Sequence, residues 1–163
     1  MRILREIAGY VTGGVVFVLL LPFFMWLSSG KIALWPIEPW RLVTSVILST
    51  TGLALSIWAI IHMRYKGDGN PMDAFGHEMA PRTQHLMTDG PYRLSRNPML
   101  TGIFLYLIGF IFWLWTWQSA VFFVVFASAM LFQVRSEEKR LLRDFGEEYQ
   151  AYCRQTGRFF PKR

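Results

Sequence analysis

The residues able to do chemistry fall in two short segments, each set against an apolar run. In the first, Asp89 to Gly102 reads DGPYRLSRNPMLTG. Asp89–Pro91 has the composition of a tight turn. Asn97 suits a helix N-cap and Pro98 a first helical residue. The unpaired N–H groups of such a helix start, together with its dipole, favour an anion. Arg93 and Arg96 add positive charge beside it. A carboxylate or phosphate group would be held there; the alternative is that both arginines are interfacial anchors on lipid phosphates.

The second segment, FQVRSEEKRLLRDFGEEYQAY, begins at Phe132. Wound as a helix, it puts Glu138 on one arc with Leu141, Leu142 and Phe145. Glu137 flanks that arc, while Lys139, Arg140 and Arg143 point elsewhere. A carboxylate in an apolar stripe is costly unless it meets a positive partner. That partner is expected from Arg93 or Arg96, as a structural ion pair, or from a cationic ligand. Gly146 is expected to end the helix, and a second short helix to close at Gly157. The two segments together predict a cytoplasm-facing pocket suited to a ligand carrying both charges.

The elements that position these segments are apolar helices. The chain has 163 residues, 53% hydrophobic and 17% aromatic, enough for a single domain. Its apolar residues gather in four blocks, roughly Gly9–Leu27, Leu42–Met63, Leu100–Trp117 and Ser119–Val134. About 20 apolar residues span a bilayer core. The second block meets that length, the first and third are adequate with their flanking aromatics, and the fourth is short. The expected class is therefore all-α: an integral membrane protein with about four transmembrane helices in one domain, residues 1–63 forming a first hairpin and 64–163 the motif-bearing part. A cleaved signal peptide is the rival reading of the first block, but Pro22 to Trp26 crowd the place where small residues would be needed.

The net charge of +6 needs no nucleic acid. The basic residues gather before the first block, between the second and third, and after the fourth. Only Lys31 and Arg41 fall in the first connection, and the third and fourth blocks are joined by little more than WQS. This segregation predicts both termini and the long middle loop in the cytoplasm. The loop, Arg64–Asn97, is punctuated by Gly and Pro yet keeps apolar residues, so it is expected to fold back on the membrane surface against the tail. Cys153 is the sole cysteine, which precludes an internal disulfide. His62, His77 and His85 lack metal-ligand spacing, so no metal site is expected.

LMTDGPYRLSRNPMLTG together with EEKRLLRDFGEEYQAYCRQTGRFFPKR resembles the isoprenylcysteine carboxyl methyltransferase family and its relatives, the phospholipid N-methyltransferases. The resemblance covers roughly Gly67 to the C-terminus. It implies a multi-pass membrane methyltransferase using S-adenosylmethionine, with a cofactor site involving Gln84, His85, Leu86, Met87, Tyr92, Asn97, Pro98, Met99, Leu100, Glu137 and Glu138. On that basis Arg93 or Arg96 would hold the cofactor carboxylate, and Glu137 or Glu138 its ammonium. Tyr92, Leu86 and Met87 would pack the adenine. Glu137, Glu138 and Arg93 are the expected catalytic residues, and His85 or a glutamate would take the proton of an amine acceptor. The acceptor, a lipid or prenylated molecule, would enter from the bilayer near Leu100, Phe104 and Gln133. Asn97 stands where eukaryotic members have His, Leu100 where they have Tyr, and Gln133 where they have a substrate-binding Arg. These departures concern the acceptor more than the cofactor. Three alternatives remain: a lipid-amine methyltransferase, a membrane reductase resembling the sterol reductases, and a non-enzymatic membrane adaptor.

Overall fold

A computed structural model describes residues 11–30, 38–66 and 85–162. Gln84 and the loop residues before it, from 67 onward, lie outside this set, as do the arginines preceding the first block. Four helices carry the described chain: α1 (Val11–Ser28), α2 (Pro39–Lys66), α3 (Pro98–Leu114) and α4 (Trp117–Gln155). The described residues contain no strand, in keeping with the all-α class.

The lengths differ from expectation. α1, α2 and α4 are long and apolar enough to cross a membrane, while α3 is a shorter apolar helix. The fourth block is apolar over few residues, but its helix continues through the charged tail to 39 residues in all. α3 has only 17 residues, about 25 Å at 1.5 Å per residue, because Trp115 and Thr116 break the chain before Trp117. Trp115 takes a positive φ of 51°. The join is therefore Trp115–Thr116, and WQS already belongs to α4. Thr116 caps α4: its Oγ1 accepts from the Ser119 N–H at 3.4 Å, and the Ser119 hydroxyl returns a bond to the Thr116 carbonyl at 2.7 Å.

The chain divides into two compact units, each discontinuous in sequence. The first comprises Met1–Ala54 and Gly102–Ala129; the second comprises Leu55–Thr101 and Met130–Arg163.

The first unit has its core at Met25, Ile103, Tyr106, Leu107 and Leu114. Small residues let α2 and α3 approach closely. A Cβ on Gly109 would stand 2.9 Å from the Ser45 carbonyl oxygen and 3.0 Å from the Ser49 nitrogen. A Cβ on Gly52 would collide with the backbone of Gly102 and Tyr106. α1 contains a π-helical stretch, Val15–Leu20, immediately before Pro22. Proline has no N–H to return to the carbonyl four residues back. That carbonyl belongs to Val18, and the buried Tyr106 hydroxyl donates to it at 2.8 Å. A side chain thus supplies the donor the imino acid lacks.

Arg41 is one of the two basic residues expected outside the cytoplasmic clusters. Its guanidinium donates to the carbonyls of Phe112 at 3.3 Å and Trp113 at 3.1 Å. It also pairs with Glu38 at 2.6 Å and lies 5.4 Å from the Trp115 ring centroid. These carbonyls lie in the last turn of α3, so this charge serves as a helix C-cap.

Candidate functional site

The site is built wholly within the second unit. Its first part is the turn foreseen at Asp89–Pro91, which forms a single 3₁₀ turn, Gly90–Arg93. The Tyr92 N–H donates to the Asp89 carbonyl at 3.0 Å and the Leu94 N–H to the Pro91 carbonyl at 3.1 Å. Gly90 has φ +56°, and a Cβ there would lie 2.8 Å from both ring nitrogens of His62. The neighbouring Asp89 carboxylate meets His62 Nε2 at 2.7 Å and also the Lys66 ammonium. Bonds from Lys66 and then His62 hold the Asp89 carboxyl at about 2, well below its usual value.

The second part is the tail. Gly146, at φ 49° and ψ −120°, kinks α4 as foreseen, and the helix beyond it ends at Gln155. Glu138, before the kink, has the partner its placement demanded. Arg96 Nη2 reaches its Oε1 at 2.6 Å, and Arg158 Nε lies 3.1 Å from both of its carboxylate oxygens. Burial works to raise the Glu138 carboxyl, but the bonds from Arg158 and Arg96 prevail and hold it below the usual carboxylate range. The same bond to Glu138 raises Arg158.

Arg96 does more than neutralise Glu138. Its Nη1 donates to the carbonyls of Thr156 at 3.2 Å and Cys153 at 3.4 Å, closing the last turn of the tail helix. The residues around it hold the segment that follows. The Arg96 N–H bonds the Gly157 carbonyl at 2.9 Å. The Ser95 hydroxyl and the Asn97 amide both donate to the Arg158 carbonyl, at 3.0 and 3.3 Å. The Thr101 hydroxyl is 3.4 Å from the Phe159 carbonyl. The polar run at the mouth of α3 therefore grips the tail backbone. Asn97 also supplies the first carbonyl of α3, accepting from the Thr101 N–H at 2.9 Å.

Between these parts lies an open-mouthed pocket whose enclosed volume is about 60 Å³. Of the expected cofactor residues, His85, Leu86, Met87, Tyr92, Arg96 and Asn97 line it, and so do Glu137 and Glu138. Gln84 lies outside the described residues. Pro98 is buried, while Met99 and Leu100 are half-buried in the first turn of α3 and not part of the lining. The Met99 carbonyl accepts from Ser56 at 2.9 Å. Of the expected acceptor residues, Gln133 is half-buried on α4. Phe104 belongs to the first unit, edge-on to Phe123 and Phe126.

Two placements depart from the sequence expectation. Arg93 is exposed and lines a separate depression with Glu148, Gln155 and Thr156; the 3₁₀ turn carries it off the face occupied by Tyr92. Of the two arginines expected as partners for Glu138, Arg96 is the one that meets it, and Arg158, not foreseen, is a second. Leu142, expected on the apolar arc, is 42% exposed, while Leu141 and Phe145 join the pocket lining.

Sequence reasoning missed Arg158, Tyr149, Tyr152 and Met63. Tyr149 and Tyr152 are three residues apart, one helical turn, and that spacing was a readable signal. Both are buried, and the Tyr152 hydroxyl donates to the Tyr92 carbonyl at 2.7 Å. Burial raises both hydroxyls strongly, with the Glu138 charge adding to the effect at Tyr149. Two buried polar atoms in the lining, the Tyr149 hydroxyl and Arg96 Nε, have no hydrogen-bond partner among the described residues. Orphaned buried polar atoms are rare in the absence of a ligand or water.

The sequence profile of the phospholipid methyltransferase family matches residues 40–148. The chain belongs to this family of membrane methyltransferases. It is also 29% identical over 165 residues to a methanethiol S-methyltransferase of Pseudomonas sp. (strain GM41(2012)), covering 97% of this chain and 60% of that protein. The chain thus spans about 60% of the length of this curated relative.

Membership implies a methyl donor, and the lining fits one of cationic character. Two carboxylates face an apolar wall of Met63, Met87 and Phe145, with an unpaired hydroxyl and an unpaired guanidine N–H at hand. An ammonium would find Glu137, and a carboxylate would find Arg96.

Proposed function

We propose that this chain transfers a methyl group from S-adenosylmethionine to a lipophilic nucleophile supplied by the bilayer. The observation that carries the reading is the meeting of Glu137, Glu138, Arg96, Tyr92 and Met87 around one pocket. When bound, the donor supplies an electrophilic methyl on a sulfonium. The protein's task is then to hold the donor, align it and keep water away.

Glu137, which lines the pocket with a side chain 42% exposed, is assigned the donor ammonium. Arg96 Nε and the Tyr149 hydroxyl are assigned to the carboxylate end. Met63, Leu86, Met87 and Phe145 exclude water, which strengthens these charge contacts. No protein nucleophile is needed. An amine acceptor would lose its proton to His85, which lines the same pocket. The acceptor is assigned to Leu100 and Gln133, and both termini to the cytoplasmic side.

A thiol acceptor is the second reading, favoured by the name of the Pseudomonas relative. Its soft thiolate would form the new S–CH₃ bond as the donor's C–S bond breaks, with the thiol proton passing to water. Purified protein given labelled donor together with an alkanethiol, phosphatidylethanolamine or a prenylcysteine distinguishes these acceptors by the mass of the product. Absence of any donor binding in calorimetry would refute the proposal.

A further inference from the structure

We propose that His62 is a positioning residue for the donor pocket, fixing the Asp89–Arg93 turn on the end of α2 and so setting Tyr92 as a pocket wall. This rests on the donor-site reading above and extends it to a residue outside the pocket.

His62 is not in the pocket lining, so it touches neither donor nor acceptor in that reading. Instead it acts on the turn in three ways. Its Nε2 bonds Asp89 at 2.7 Å. Its ring packs against the Cα of Gly90, which leaves no room there for a side chain and explains a glycine at φ +56°. The same ring lies 6.3 Å from the Tyr92 ring, tilted by 35°. The His62 side chain is 14% exposed, so the ring itself is held in place by packing, while the Asp89 carboxylate it bonds is 47% exposed. Lys66, one turn further along α2, takes the other Asp89 oxygen.

The turn has few bonds of its own. Its backbone is closed by the Tyr92 to Asp89 and Leu94 to Pro91 bonds. Tyr92 is secured from the other side by Tyr152, whose hydroxyl donates to the Tyr92 carbonyl. Tyr92 is thus held between an imidazole clamp on α2 and a phenol on the tail, and releasing either side frees the wall. A wall displaced by about 1 Å is enough to lower binding and rate markedly.

The test compares His62→Phe, which keeps a ring under Gly90 but loses the Asp89 bond, with His62→Gln, which retains an N–H donor. Donor affinity is read by calorimetry, and the turn by hydrogen exchange at the Tyr92 and Leu94 amides. His62→Phe is expected to bind the donor about tenfold more weakly, the loss of one charge-assisted hydrogen bond, with faster exchange at both amides. His62→Gln should recover to within about threefold. Glu137→Gln, on the donor itself, should weaken binding and leave the exchange unchanged. Wild-type affinity and wild-type exchange in His62→Phe would overturn the clamp. Should wild-type protein bind no donor, the donor reading fails on its own; the clamp is then judged by exchange alone, faster exchange in His62→Phe supporting it and unchanged exchange overturning it.

Discussion

Arg158 Nε lies 3.1 Å from both carboxylate oxygens of Glu138, while Arg96 approaches Oε1 of the same group at 2.6 Å. Two cations on one carboxylate make Glu138 the centre of a charge triad. The glutamate side chain is 15% exposed and Arg96 is 11% exposed. Removing the anion strands two positive groups, one of them largely buried. Glu138→Ala should therefore cost about 3 kcal/mol of stability, seen as a lower unfolding temperature in detergent.

Glu137 is expected to behave differently. Its side chain is 42% exposed and lies 3.9 Å from Arg140, so little folding energy depends on it. Glu137→Gln should shift unfolding by less than about 0.5 kcal/mol while weakening the donor about tenfold or more. Calorimetric titration beside a thermal melt separates the two glutamates.

Arg93 projects from the opposite side of its turn, into the depression shared with Glu148. Arg93→Ala should leave donor affinity within about twofold and stability within about 0.5 kcal/mol. A tenfold loss of donor affinity would restore Arg93 to the site.

The Asp89 clamp sets an acid limit. Its carboxyl is held at about 2, against 3.8 for an unperturbed Asp. The depressed carboxylate contributes stability that is complete above pH 3.8 and is lost as pH falls through about 2. Protection of the Tyr92 and Leu94 amides, measured against their intrinsic exchange rates at each pH, should therefore fall between about pH 4 and pH 2 in the wild type, and that acid-dependent loss should vanish in Asp89→Asn.

In the first unit, Gly109 faces Ser45 and Ser49 with no space for a side chain. Gly109→Val should cost about 2 kcal/mol or more through overpacking, measured by thermal unfolding in detergent. Ser49→Ala in the same background should recover part of the loss, because the Ser49 hydroxyl is the nearest side-chain atom.

How much of this was legible in the sequence follows from the range of each interaction. The helices were readable because apolar runs and the Asn97–Pro98 start are local signals, and Gly146 and Gly90 marked breaks for the same reason. The pocket glutamates were found because an acid in an apolar stripe demands explanation. Arg158 was not found, since nothing in GRFFPKR distinguishes one basic tail residue from the next; its partner is 20 residues away. Arg93 and Arg96 looked equivalent by type, and only the turn geometry separates them. The far end of α3 was set beyond Leu114 because Trp115 is apolar and continues the run, yet its backbone leaves the helix. Close approach of α2 to α3 depended on pairing Ser45, Ser49 and Gly52 with Gly102 and Gly109, a match between two distant segments that periodicity within either cannot reveal.

The grip of Ser95, Arg96, Asn97 and Thr101 on the carbonyls of Gly157, Arg158 and Phe159 orders events during biosynthesis. These acceptors leave the ribosome after all four helices have been made, so insertion into the bilayer can precede assembly of the site. Until the strap docks, Glu138 lacks one of its two counter-cations and the mouth of α3 is unfastened.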